Sequence, residues 1–197
     1  MHGICAPCLY GSEKKFKFCC YEIQKKREVI PATSKCCKFP IYECKVLKNW
    51  EGTGILPIYI SRELTTDSYV FISYLVDFCC LGLKDTILKF GASKRDLSYI
   101  YSKSDDLVTI SYQDASSLIL GAMNVAKAID IAPHLSWSGI PSSFIEAHLA
   151  YEKKFSFGQE GKPHYVSAPY DYKLYNVEEV VSKVSKAQGH YVVHVPA

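Results

Sequence analysis

The chain has 197 residues, of which 48% are apolar and 22% charged. That balance excludes a low-complexity or strongly charged disordered chain and leaves enough apolar side chains for a sizeable core. The net charge of +3 hides an asymmetry. Residues 1–50 hold ten Lys/Arg, four Glu and no Asp, a net of +6, so the remainder carries about −3. An anionic partner is therefore expected to meet the N-terminal part.

The chain starts with four cysteines in sixteen positions, Cys5, Cys8, Cys19 and Cys20. Nine cysteines occur in all, an odd number, and seven lie within the first 44 residues. No basic start followed by an apolar core marks a signal peptide, so a cytoplasmic, reducing location is expected. Clustered thiols in that setting favour metal over disulfides. Cys19 to Val29 predicts a short helix, and Pro31–Ser34 a linker. The expected organisation is a knuckle over residues 1–35 and an α/β domain over 36–197.

Ile41–Leu47 alternates as a half-buried strand, Glu51–Gly54 reads as a turn, and Ile55–Arg62 as a second strand. Tyr69–Asp77 is rich in β-branched and aromatic residues with little alternation, which suits a strand covered on both faces. The longest apolar run, Tyr69–Leu83, is cut by Ser73 and Asp77 and is too short and polar to span a bilayer. Cys79–Asp85 is expected to leave the sheet, and Asp85–Phe90 to form a helical turn or two ended by Gly91.

Residues 92–110 give no clear pattern. Ser111 reads as an N-cap. The helix after it carries Ala115, Leu118, Ile119, Ala122, Val125, Ala126 and Ile129 on one stripe, with Pro133 beyond its end. A further helix is expected over Ser142–Glu152 with Phe144, Ile145 and Leu149 inward. Phe155–Gly158 and His164–Ser167 flank Gln159–Gly161 as a hairpin. Asn176 caps a helix from Val177 to Gln188 with Val177, Val180, Val181 and Val184 on its apolar face. Tyr191–Val195 forms a last strand. The fold class is α+β (mixed α/β): a small N-terminal knuckle plus one sheet packed with about three to four helices.

The chemistry concentrates in Cys5–Cys20. Zinc takes four ligands in a tetrahedron, and Cys5-x-x-Cys8 with Cys19-Cys20 supplies four thiolates. So short a segment cannot build a core, so metal binding would supply its folding free energy. The run Gly11-Ser-Glu-Lys-Lys-Phe-Lys-Phe-Cys19-Cys20 resembles the second half of the SEC-C motif. That motif is the zinc element at the C-terminus of the SecA translocation ATPase and in other bacterial proteins. The resemblance implies zinc on Cys19 and Cys20, with Lys14, Lys15 and Phe16 at the motif's lysine and aromatic positions. Aligned on Gly11-Ser12, Cys8 stands at the family's first cysteine and Tyr10 at its second, so Cys5 would have to replace the missing ligand. Glu13 stands where the family has glycine. Cys36, Cys37 and Cys44 are reserve ligands.

In the resembled family this element docks on a chaperone or a ribosome, which implies an interaction role. Lys14, Lys15, Phe16 and Lys17 are the expected partner-binding residues, since aromatics among lysines can stack on bases or pack on a protein. Phe16 and Phe18 equally suit closing the knuckle's own small core. Ser73–Asp85 also resembles a segment of bacterial proteins that carry SEC-C motifs and have no assigned activity.

An enzymatic alternative rests on carboxylates. Asp77 and Asp85, with Glu146 or His148, would bind Mg²⁺ for phosphodiester chemistry in a nuclease-like enzyme. The plainer reading has Asp77 ending a strand and capping the next turn. Glu146 and His148 are two apart on a helix and face different ways. His134, His164, His190 and His194 read as surface or hydrogen-bonded residues. Gly52-Thr-Gly54 lacks the third glycine of a phosphate loop. Cys79 and Cys80 sit among apolar residues, which suits inert thiols better than nucleophiles.

Overall fold

The computed structural model describes residues 38–146 and 155–194. The knuckle, its helix and the linker lie outside the described residues, as does the end of the helix expected over Ser142–Glu152.

The fold is α+β. Strands β1 (Ile41–Leu47), β2 (Ile55–Thr65), β3 (Ser68–Asp77) and β4 (Gly82–Ala92) run as an antiparallel meander. Helix α1 (Lys94–Tyr101) follows, and β5 (Leu107–Ile110) returns to pair with β1. The strand order is β4-β3-β2-β1-β5. Helix α2 (Tyr112–Ala128) then crosses one face.

Alternation along the strands feeds two cores. Leu56, Ile58 and Ile60 of β2 and Val70, Ile72, Tyr74 and Val76 of β3 face α2, where Ala115, Leu118, Ile119 and Ala122 meet them. Tyr59, Tyr69 and Phe71 point the other way and pack with Leu97 of α1. Strand β3 is thus an interior strand buried on both faces, as its composition predicts. Ser111 caps α2, its side chain accepting from the Asp114 N–H. The predicted stripe of α2 does double duty, since Ala126 and Ile129 leave the main core for a second one.

Gly82 makes the closest approach of sheet to helix. It has φ +66°, and a Cβ there would lie 2.9 Å from the Ala126 Cβ and 3.1 Å from the Ala122 carbonyl oxygen. Glycine serves both the left-handed turn and the contact.

Several expectations are corrected. Asp85–Phe90 is not helical but the middle of β4, which alternates Leu88 and Phe90 inward against the exposed Ile87. Residues 92–110 contain α1 and β5. A reciprocal capping box starts α1, with Ser93 accepting from the Asp96 N–H and Asp96 accepting from the Ser93 N–H. Helix α3 spans only Ile140–Phe144, after Gly139 at φ 76°, because Ile145 is already extended. Phe144 and Ile145 are buried as expected.

The expected hairpin over 155–167 is replaced by a tight turn closed by Gln159 and Lys162. Strand β6 (His164–Val166) pairs in parallel with β7 (His190–Val192), so a second, two-stranded sheet exists where one sheet was expected. Between them lie α4 (Asp171–Leu174) and α5 (Val177–Lys186), the latter capped by Asn176 and inward on Val177, Val180 and Val184.

Candidate functional site

The β3–β4 turn carries the sequence candidate Asp77 and the densest buried polar chemistry among the described residues. Asp77 is 4% exposed. Its Oδ1 accepts from the Cys79 N–H at 2.8 Å and the Cys80 N–H at 2.9 Å. Burial pushes its carboxyl above the ordinary range, opposed by those two amides and by the Lys84 ammonium. The plainer reading of Asp77 therefore holds, because its carboxylate caps the turn. Cys79-Cys80 does not lead away from the sheet; it folds straight back into β4.

The turn's carbonyls hold the C-terminal segment. Phe78 O accepts from the Gly158 N–H at 2.9 Å, and Cys79 O from the His164 N–H at 3.0 Å. Gly158 has φ +74°, and a Cβ there would fall 2.3 Å from the Lys162 carbonyl oxygen, so this turn tolerates only glycine.

Lys84 stands near the start of β4 and is 4% exposed. The bulge opposite Leu75 and Val76 sets it in the interior beside the second core. Its ammonium donates to Oδ1 of Asp171, itself fully buried. Asp171 Oδ2 accepts from the Ala168 N–H at 3.0 Å and from the Tyr165 hydroxyl at 3.4 Å. Each charged group thus has a partner, the condition under which a buried ion pair is tolerated. Tyr175 joins the cluster with a buried hydroxyl that has no hydrogen-bond partner among the described residues. Burial and the charges of Asp171, Asp77, Cys80 and Asp85 push that phenol up to about 12. The sequence analysis does not single out Asp171, and nothing in Ala168-Pro-Tyr-Asp171 signals a partner 87 residues away.

Asp85 lies at the edge of this cluster and faces outward. Its Oδ1 accepts from the Thr86 N–H at 2.7 Å and lies 3.6 Å from His134 Nδ1. Ser136 Oγ is 2.9 Å from the same nitrogen. A relay needs the acid on one ring nitrogen and the nucleophile on the other. Here both meet Nδ1, so Asp85, His134 and Ser136 form a polar corner and not a triad. No family model, curated protein or solved structure matches this chain.

The remaining candidates are scattered. Glu146 pairs with Arg62 at 3.5 Å, well away in the fold from the β3–β4 turn, and His148 lies outside the described residues. Among the described residues no group of three or more His, Cys, Asp or Glu is placed to hold a metal ion. Cys5, Cys8, Cys19, Cys20, Cys36 and Cys37, with Lys14, Lys15, Phe16 and Lys17, lie outside them. Cys44 and Cys80 are buried, and burial pushes both thiols up to about 12. Burial also raises the half-buried Cys79, with the Asp77 charge adding to it. These three behave as small apolar residues rather than nucleophiles or thiolate ligands.

Arg62 is a second feature the sequence reading passed over. It is 2% exposed on β2. Its guanidinium donates to Phe39 O at 2.7 Å and Phe144 O at 3.1 Å, and lies 4.7 Å from the centroid of the Tyr112 ring. One planar cation thereby ties the lead-in to β1, the end of α3 and the first turn of α2 to the sheet. No described helix is long and apolar enough to cross a membrane.

Proposed function

We propose that the chain is a zinc-binding interaction protein. Its basic N-terminal knuckle docks on a nucleic acid, a ribosome or a protein partner, and residues 36–197 form the body that carries it. The observation behind this reading is the run Gly11–Cys20, with its closing cysteine pair and its lysines and aromatic at SEC-C positions. Two physical facts support it. Cys44 and Cys80 are buried, and no described cysteine lies in a group of three or more His, Cys, Asp or Glu placed for a metal ion, which directs a cysteine-held metal to the residues before 38. The positive charge is also concentrated there, against a body of opposite sign.

The enzymatic reading through Asp77 and Asp85 draws less support. Asp77 is already committed to two amides and almost closed to solvent.

The test is zinc content and partner capture measured together on the full chain. Purified protein should carry about one zinc per chain. Cys19→Ser with Cys20→Ser should abolish zinc while leaving the body folded. Binding to RNA should weaken steeply with salt and require Lys14, Lys15 and Lys17. A metal-free wild type ends the zinc reading. Metal-loaded protein whose RNA binding ignores those lysines moves the partner to a protein.

A further inference from the structure

The tripeptide His-Tyr-Val occurs twice in the chain, and the fold lays the two copies side by side. His164 pairs with His190, Tyr165 with Tyr191 and Val166 with Val192 in a parallel ladder. Directly paired residues of neighbouring strands project from the same face. The two imidazoles therefore share a face, and their ring centroids are 6.5 Å apart. An ion held about 2.0–2.1 Å from one nitrogen of each ring places two ligating ring centroids roughly 4.5 to 5.5 Å apart when the rings sit side by side in its coordination shell. The pair stands about 1 Å wider than that span, a gap that a turn about the side-chain torsions of the exposed His190 closes.

The backbone fixes this alignment. The His190 N–H donates to Pro163 O at 2.9 Å, the His164 N–H to Cys79 O at 3.0 Å, and the Ser167 N–H to Val192 O at 2.9 Å. Gly189 lets β7 come in this close, because a Cβ there would lie 2.4 Å from Pro163 O. One ring nitrogen is also unaccounted for. His164 Nδ1 is shut off from solvent and has no hydrogen-bond partner among the described residues. A buried polar atom without a partner calls for a water or an ion. His190, by contrast, is exposed, which leaves an approach from solvent.

We propose that His164 and His190 form a two-histidine site for a divalent transition-metal ion of the imidazole-preferring class, such as Ni²⁺, Cu²⁺ or Zn²⁺. Water fills the other coordination positions, as in open metal sites. The ion clips β7 onto β6 by a bond that does not depend on the cysteines. This site is separate from the N-terminal zinc reading and stands or falls without it.

The test is proton NMR of the purified full chain, with no zinc added, titrated with Ni²⁺, a paramagnetic probe that broadens signals near its site. Ring-proton signals of His164 and His190 should vanish first, while those of His134 and His194 persist. In His190→Gln, whose exposed position spares the fold, the His164 signals should survive the same Ni²⁺ concentration. Ni²⁺ should also raise the thermal midpoint of the wild type and not that of the variant. Broadening of His164 that persists in His190→Gln, or broadening spread evenly over all histidines, overturns the site. Ni²⁺ taken up by Cys79, whose carbonyl holds the His164 N–H, would broaden His164 in wild type and His190→Gln alike, so the variant separates the two.

Discussion

The sheet with α2 and the segment from Phe155 to His194 reach their places by different means. The first is a periodic apolar seam: β2, β3 and β4 offer every second residue, α2 offers one stripe, and no single contact is decisive. The second has two three-residue strands, a four-residue helix and a ten-residue helix, and it buries Tyr165, Val177, Val180 and Val184 in a smaller core shared with Cys80, Leu81, Ala126, Ile129 and Ile131 of the first. Within that small shared core its position is set by a few polar attachments, chiefly two amides on the Phe78 and Cys79 carbonyls and one buried ion pair between Lys84 and Asp171. Distributed burial degrades gradually under mutation, whereas a few polar pins fail one at a time and at high cost.

The largest expected effect is at the pins. Asp171→Ala strands the Lys84 ammonium in the interior and should cost about 3–5 kcal/mol in urea unfolding. Lys84→Met should cost a similar amount by stranding the carboxylate. The double variant Lys84→Met with Asp171→Asn should recover most of it. It removes both charges and keeps an acceptor for the Ala168 amide. Strict additivity of the Lys84→Met and Asp171→Asn losses, each measured singly, would refute the account of the pair.

Next comes the seam. Leu118→Ala should cost about 2–5 kcal/mol through lost burial and a residual cavity. Hydrogen exchange should separate the two regions. Leu118→Ala is expected to speed exchange in β2 and β3, and Asp171→Ala chiefly in β6 and α5.

The smallest effect is a pH profile. Burial raises the folded-state carboxyl of Asp77 above its ordinary 3.8. The folded state then holds this proton more tightly than the unfolded state. Its contribution is favourable at low pH and fades as pH rises through the window from 3.8 up to the raised value. The side-chain amide introduced by Asp77→Asn keeps an oxygen for the Cys79 and Cys80 amides but never ionises. Stability of Asp77→Asn relative to wild type should therefore climb across that window and then level off. A flat difference would mean that the carboxyl titrates normally.

How much was legible follows from the same contrast. The seam is written locally: alternation in Ile41–Leu47 and Ile55–Arg62, the stripe from Ala115 to Ile129 and the cap at Ser111 each need only neighbours in sequence. Strand β4 reads locally as helix because Asp85 and Gly91 look like helix punctuation, although the alternation of Thr86, Leu88 and Phe90 is the better signal. Of the candidate site, Asp77 and its capping role were visible. Asp171 was not, since its meaning comes from Lys84 across the fold. Nor was the His164–His190 register, which depends on a bare Gly189 beside Pro163. Short elements joined by turns carry little periodicity, and pairings set by tertiary packing leave none at all.

Arg62 has a mechanical consequence. Its guanidinium grips the carbonyl of Phe39 at 2.7 Å, and the Glu63 amide grips that of Pro40 at 2.9 Å. A pull on the chain ahead of Lys38 is therefore not delivered to a loose end of β1. It arrives at the middle of the sheet and is shared with Tyr112 and Phe144 through the same cation. Tension entering at Phe39 and Pro40 is thus spread from β2 to the first turn of α2 and the end of α3, and not concentrated on the pairing of one strand.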